Sequence, residues 1–233
     1  MNKHLLISGK ITLLLLASLS LQAAEQKTTY AARSGSKMRI EGTSNIHDWQ
    51  MESSIIGGML EVGPGFPTEP GQAVTPGKIE AKAEAFITVR SLKSLEKDGR
   101  PYSDAMDNIT YEKLKASEDP VTKKVLHPRI EYRLSELVLK EAPKTKDGAY
   151  VFDAKGDLAL AGVTNKISMP VNIIVMADKK LKITGTVTVK MTDFKIDPPA
   201  PKIAMGFIKT GDPVKLIFDW VVAPKKAPAA ASN

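Results

Sequence analysis

The chain has no cysteine among its 233 residues. Disulfides and a diacylated lipid anchor on cysteine are therefore excluded, and stability must come from a packed core. Histidine is almost as scarce, with only His47 and His127 beyond the first 24 positions. Neither lies in a ligand-spaced cluster, which argues against a metal centre. Asp193, Asp197, Asp212 and Asp219 are scattered among Pro and Gly and show no calcium-loop pattern. A phosphate-binding glycine loop and a G-x-S-x-G nucleophile elbow are also missing. The apolar run Ile11 to Leu21 is eleven residues long, short of the roughly 20 that span a bilayer.

That run fits a different purpose. Lys3, His4 and Lys10 precede it, and the small residues Ala23 and Ala24 follow before Glu25. The order is that of a secretory signal peptide over residues 1–24, which predicts a periplasmic or secreted protein. The formal net charge is +7, and Lys3 and Lys10 contribute to it from within the signal. The remaining lysines alternate with apolar residues along strands, as a solvated exterior requires, and do not form a nucleic-acid patch. Residues 223–233, mostly Ala, Pro and Lys, read as a disordered tail. Residues 25–222 make one domain.

A period of two dominates that domain. Leu181, Ile183, Val187 and Val189 alternate with Lys182, Thr184, Thr186, Thr188 and Lys190. Val214, Leu216, Phe218, Trp220 and Val222 repeat the pattern, as do Ile130, Tyr132, Leu134 and Val138. Leu158 and Leu160 alternate with Asp157 and Ala159, Gly162 interrupts, and Ile167, Met169, Val171, Ile173 and Val175 resume, as in a half-buried antiparallel hairpin. His47, Trp49, Met51 and Ile55 share one phase, while Leu60 and Val62 take the other. The switch is expected at Gly57–Gly58, as a bulge or sharp bend. Gly63 to Gly77, with four Pro and four Gly, is expected to be an exposed irregular loop. Ser103 to Ser117 offers Met106, Ile109 and Leu114 at helical spacing behind a Ser103 or Asp104 cap, and Ser91 to Asp98 adds a short helical turn. The fold class is all-β: a single antiparallel lipocalin-like barrel of about eight strands, with one or two short helices in a connecting segment.

Five segments carry a family resemblance. Gly42–Trp49 reads GTSNIHDW; Val89–Leu92 is followed by Met106–Asn108 and Tyr111–Lys115; Pro128–Tyr132 reads PRIEY; Asp157–Thr164 reads DLALAGVT; Thr192–Ile196 reads TDFKI. In this order they resemble the YceI-like family of lipocalin-like barrels that bind polyisoprenoid lipids. The Gly63–Gly77 loop and the lysine-bearing Ser117–Leu126 stretch depart from the pattern and bear on the pocket mouth.

The resemblance implies an apolar tunnel that holds a long isoprenoid lipid, such as a quinone tail, without catalysis and with no cofactor beyond that lipid. Its expected lining is Trp49, Met51, Ala81, Ala83, Ala85, Ile109, Leu114, Leu158, Leu160, Ile173, Val187 and Phe218, with Ile109 and Leu114 closing one end and Phe194 near it. Inward Ala81, Ala83 and Ala85 leave two readings open: a cavity, or space filled by a helix or a large opposing side chain. Periodicity alone does not separate a tunnel lining from ordinary core. Transient contact with a membrane surface and a homodimer are compatible with this reading; nucleic acid is not an expected partner. Two alternatives stand beside it. One is a secreted hydrolase using His47 with Ser44, although His47 and Asp48 point to opposite faces of a strand. The other is a ligand-free structural or stress-response barrel.

Overall fold

The computed structural model describes residues 27–203 and 206–225. The expected signal peptide and nearly all of the expected disordered tail lie outside these residues. Eight long antiparallel strands follow one another around a closed barrel, and several are interrupted. The first runs Thr28–Ala32 and resumes as Lys37–Ser44. The second is Trp49–Ser53 with Gly57–Val62, and the third is Gly77–Ile79 and Ala81–Thr88 with Lys93–Leu95. The fourth to eighth are Arg129–Glu141, Tyr150–Leu160, Val163–Val175, Leu181–Lys190 and Thr210–Pro224. Each pairs with the next, and the eighth returns to the first through Tyr30↔Pro224 and Phe218↔Met38. The last strand thus runs through Ala223 to Pro224, past the expected boundary at Val222. The expected all-β, lipocalin-like barrel is the fold observed.

The inward phases follow the alternation in most strands, and two of them need correction. In the fourth strand the register shifts between Leu134 and Glu136. Ser135 sits at this bulge and donates its hydroxyl to the Lys155 carbonyl at 3.0 Å. The extra residue turns Leu137 and Leu139 into the core and leaves Val138 out of it. In the second strand the phase changes before the glycine pair. Ser53 is buried, and its hydroxyl bonds both the N–H and the carbonyl of Ile55. Ile55 is 61 % exposed and Ile56 takes the inward place. Gly58 has a different reason to be glycine: its φ is +133°, and a Cβ there would meet the Glu84 carbonyl oxygen.

The helix is Asp104–Lys113, with Ser103 capping it by accepting the Met106 N–H. Ser91–Asp98 is not helical as expected. Val89–Ser91 makes one 3₁₀ turn, and Lys93–Leu95 then pairs with Gln50–Glu52. The hydrogen bonds offered by that strand edge outweigh a helical spacing of two leucines.

One end of the barrel is sealed. Tyr30, Tyr150, Phe152, Leu181 and Val222 are fully buried there. The Pro- and Gly-rich loop is irregular, as expected, and much of it is exposed, but it is pinned over this end of the barrel. Its Phe66 stacks on Phe152 with centroids 6.0 Å apart, and its Gln72 carbonyl accepts the Tyr150 hydroxyl at 2.8 Å. Gln72 Oε1 in turn accepts the N–H groups of Thr68 and Glu69. Truncation of Phe66 to Ala is expected to cost about 3–5 kcal/mol, the usual loss for a buried phenylalanine. Urea unfolding checks this as a lowered midpoint at unchanged slope.

Candidate functional site

Three inward glycines shape the barrel wall, each beneath an aromatic ring. A Cβ on Gly42 would collide with the Trp49 indole across the first pair of strands. A Cβ on Gly156 would stand 2.6 Å from the Tyr132 ring, and one on Gly185 would stand 2.5 Å from Phe218 Cζ. Each ring lies along the wall over its glycine, because nothing there lifts it off. Aromatic cover of a strand glycine is a known stabilising device. Here it also keeps large side chains out of the centre.

The space left free divides into two chambers. The deep one has a volume of about 120 Å³ and is walled by Met38, Leu60, Ala83, Ala85, Leu158, Ile173, Val187, Phe218 and others. The outer one, about 470 Å³, is walled by Met51, Leu160, Val189, Met191 and Ile196 together with Met106, Ile109 and Leu114 of the helical segment. Ile130 and Leu216 belong to the walls of both, so the chambers meet at these two residues. An open polar groove of about 790 Å³ adjoins the mouth and shares Trp49, His47 and Tyr102 with the outer chamber.

Most of the expected lining is thus brought together. Ala83, Ala85, Leu158, Ile173, Val187 and Phe218 wall the deep chamber, and Trp49, Met51, Ile109, Leu114 and Leu160 wall the outer one. Ala81 walls neither; it pairs with Val62 toward the sealed end. Phe194 walls neither as well. It is buried in the 3₁₀ turn Thr192–Phe194, beside Ile167, Val187 and Val189 and against an outer groove. Trp49 is a mouth residue, since its indole N–H is spent on the Thr43 carbonyl at 3.1 Å. The Gly63–Gly77 loop lies at the sealed end and so does not bear on the mouth. The segment after the seventh strand completes the outer wall with Met191, Ile196, Pro199, Pro201 and Ile208. Its Thr192–Ile196 part carries the family resemblance, but tight turns and prolines give the segment no period that would assign these residues to the lining.

The helix is fastened across the mouth by buried polar bonds. Asp107 Oδ1 accepts the Ser94 N–H at 2.6 Å, and Lys93 Nζ stands 3.0 Å from Asp107 Oδ2. Burial pushes the Asp107 carboxyl up, but the Ser94 N–H, the Lys93 ammonium and the Ser94 hydroxyl together hold it below the usual carboxylate range. Tyr111 donates its hydroxyl to the Leu92 carbonyl at 2.8 Å.

Ser44 and His47 do not form a nucleophile and base. Ser44 Oγ donates to the His47 carbonyl at 2.7 Å and accepts the N–H groups of Ile46 and His47, so it ties a turn. His47 Nδ1 donates to the Asp48 carbonyl at 2.7 Å, which leaves Nε2 to accept the Tyr102 hydroxyl at 3.2 Å. Among the described residues, Tyr132 Oη, Asp219 Oδ1 and Trp220 Nε1 are buried without a hydrogen-bond partner, and the surface of the deep chamber itself is apolar. Burial, with a smaller contribution from Asp157, pushes the Tyr132 phenol up to about 12, so it stays protonated.

The YceI-like domain matches residues 65–222 of the chain. A polyisoprenoid binding domain from Saccharophagus degradans, implicated in plant cell wall breakdown, superposes with a TM-score of 0.56 at 10 % identity, covering 86 % of this chain and all of that one. BcnA of Burkholderia cenocepacia gives 0.49 at 16 % identity, over 80 % of this chain and 95 % of its own. A Campylobacter jejuni YceI protein gives 0.45 at 16 % identity, over 76 % and 85 %. No curated protein sequence matches significantly. The match begins at residue 65, and the first two strands lie before it yet close the barrel.

Two outcomes follow. A Cβ at position 185 should lift the Phe218 ring into the deep chamber, so Gly185→Ala is expected to keep the far-ultraviolet circular dichroism spectrum of the barrel and lose most of its uptake of an apolar fluorescent probe. Because the Asp107 carboxyl is held low, its hold on the helix is present above the unfolded value of about 3.9 and is lost as pH falls through the folded value. Amide exchange in Asp104–Lys113 should therefore speed up selectively below about pH 4, whereas Asp107→Ala should exchange fast at neutral pH as well.

Proposed function

The chain belongs to the YceI-like domain family, and on that premise we propose that it binds a long-chain isoprenoid lipid, quinone-like in its chain, and stores or carries it without chemical change. The observation that carries the reading is the pair of apolar chambers in line, the outer one opening beneath a helix and the deep one ending at a sealed floor. An apolar chain gains ~0.8 kcal/mol for each methylene it buries, so such a lumen holds a long ligand with few polar contacts. Methionines at Met38, Met51, Met106, Met169 and Met191 stand in the walls and adapt to an irregular chain. The similarity to a domain named for polyisoprenoid binding supports the same ligand class.

The mouth supports uptake at a lipid surface. Ile46 and Phe207 are 53 % and 60 % exposed, and they adjoin one another because Asn45 bonds the Phe207 carbonyl and the Lys209 N–H. Lys113 and Lys202 stand in the wall of the outer chamber. Apolar side chains framed by lysines suit the headgroup region of an anionic membrane. Removal of residues 1–24 would place the carrier in the periplasm or outside the cell. The hydrolase alternative has little to support it, since the Ser44 hydroxyl is consumed by its turn. A ligand-free barrel is disfavoured by Ala83 and Ala85, which face open space where a structural core would oppose them with bulk.

A homologous series of isoprenoid alcohols tests the proposal. Affinity, followed by quenching of tryptophan fluorescence, is expected to rise about fourfold for each added methylene equivalent until the chambers are full, then level off. Flat, weak binding across the series would count against a lumenal ligand.

A further inference from the structure

Between the helix and the fourth strand the chain makes a small ordered hairpin that walls neither chamber. Glu118 and Val125 pair across it, and the Asp119 N–H bonds the Lys124 carbonyl at 3.0 Å. Asp119 Oδ1 accepts the Val121 N–H, the Thr122 N–H and the Thr122 hydroxyl. The base is anchored, since Ala116 is fully buried and Val125 packs against the core. Two apolar residues are left outside. Val121, at the tip, is 86 % exposed, and Leu126 is 71 % exposed. Asp119 and Thr122 supply the bonds of the turn, so the fold has no need of an apolar side chain at its tip. Single exposed apolar residues are ordinary, and it is their placement that carries meaning. Of eight large exposed hydrophobic residues among the described ones, five lie on connections at the mouth: Ile46, Tyr102, Val121, Leu126 and Phe207. Ile46 and Phe207 adjoin strands one and eight. The hairpin leads into strand four, and the His127 ring that follows it lies against Gly162, in the turn between strands five and six. In a closed ring of eight strands these two places face each other across the opening.

Resting on the carrier reading, we propose that this hairpin is a membrane-docking element. Val121 and Leu126 enter the acyl boundary of an anionic bilayer, and the lysines behind them meet its headgroups. With Ile46 and Phe207 on the far side, they seat the opening of the outer chamber on the lipid from which the ligand comes. Two observations favour a bilayer over a protein partner. The apolar points stand apart on opposite sides of an opening, which matches a flat apolar layer and not one continuous protein groove. The charge nearby also has the right sign: residues 113–124 carry four lysines against two carboxylates. Glu118 faces Lys123 at 3.8 Å and Asp119 is bound up in its turn, whereas Lys113, Lys115 and Lys124 make no ion pair among the described residues.

The chain has no cysteine, so Val121→Cys carries a single environment-sensitive fluorophore. On vesicles of phosphatidylethanolamine and phosphatidylglycerol its emission is expected to rise and shift to the blue. The same label at Asp147→Cys, on a connection at the sealed end, should not change. In Val121→Ser with Leu126→Ser, vesicle affinity should fall by about tenfold or more, the least that burial of one such side chain is worth. Transfer of a polyisoprenoid alcohol from the vesicles to this variant should slow. Its uptake of the same alcohol from cyclodextrin should match the parent, since neither residue walls a chamber. No spectral change at position 121, an equal change at both positions, or unaltered vesicle affinity in the double variant would overturn the proposal. The carrier reading would then stand, because the cyclodextrin assay reads the lumen alone. A change at position 121 that grows with protein concentration in the absence of vesicles would overturn it in favour of a second copy of the chain. Failure of the parent to take up the alcohol from cyclodextrin would overturn the carrier reading, and with it the purpose given to the hairpin.

Discussion

In a barrel of eight strands the inward side chains ordinarily meet in the middle and fill it. An open lumen at this strand number needs large residues held back from the axis. In this protein that is done by glycine at the positions where aromatic rings come to rest. Phe218 lies over Gly185 and Tyr132 over Gly156 in the deep chamber, and Trp49 lies over Gly42 at the mouth. Ala83 and Ala85 then face space on the opposite wall. The rings still bury their area against the sheet, so the barrel keeps the stabilisation of aromatic burial while the centre stays free. Everything proposed for function depends on that arrangement, because a ring lifted by one methyl group would occupy the volume a ligand needs.

The two ends of the barrel do opposite things with similar means. At the floor, aromatic residues face inward and a loop is drawn over them by the Phe66–Phe152 stack and the bond from Tyr150 to the Gln72 carbonyl. At the mouth, the covering element is a helix of ten residues, held by Asp107 to the backbone of Ser94 and by Tyr111 to that of Leu92. Its apolar residues Ile109 and Leu114 roof the outer chamber without filling it. Anchors on one flank and an apolar underside are what a cover over a lipid path requires.

The alternation of apolar and polar residues made the barrel and most of its inward face legible in the sequence, because a sheet wet on one side has a strict period of two. It failed where one residue changes phase: at Ser135, where a bulge turns Val138 outward, and at Ser53–Ile56, where the serine hydroxyl supports an irregular step. Glycine at 57 and 58 drew the switch a few residues too late. Composition told only part at Gly63–Gly77, since proline and glycine announce a turn-rich path but say nothing of the single Phe66 that pins it to the core. Among the expected lining, Ala81 and Phe194 had the right phase or neighbourhood and the wrong height along the barrel. Height depends on strand tilt and register, which a single strand's pattern does not contain. The orphaned donors of Tyr132 and Trp220 were beyond reach for a related reason: whether a polar atom finds a partner is a property of the surrounding strands.

The central claim is that the lumen exists to hold a lipid. Mass spectrometry of an organic extract of the protein tests it most directly, with the protein exported by its own cells and purified without detergent. A polyisoprenoid species present at near one molecule per chain is the predicted result. An extract that contains no lipid above the level carried by an unrelated exported protein would contradict the account.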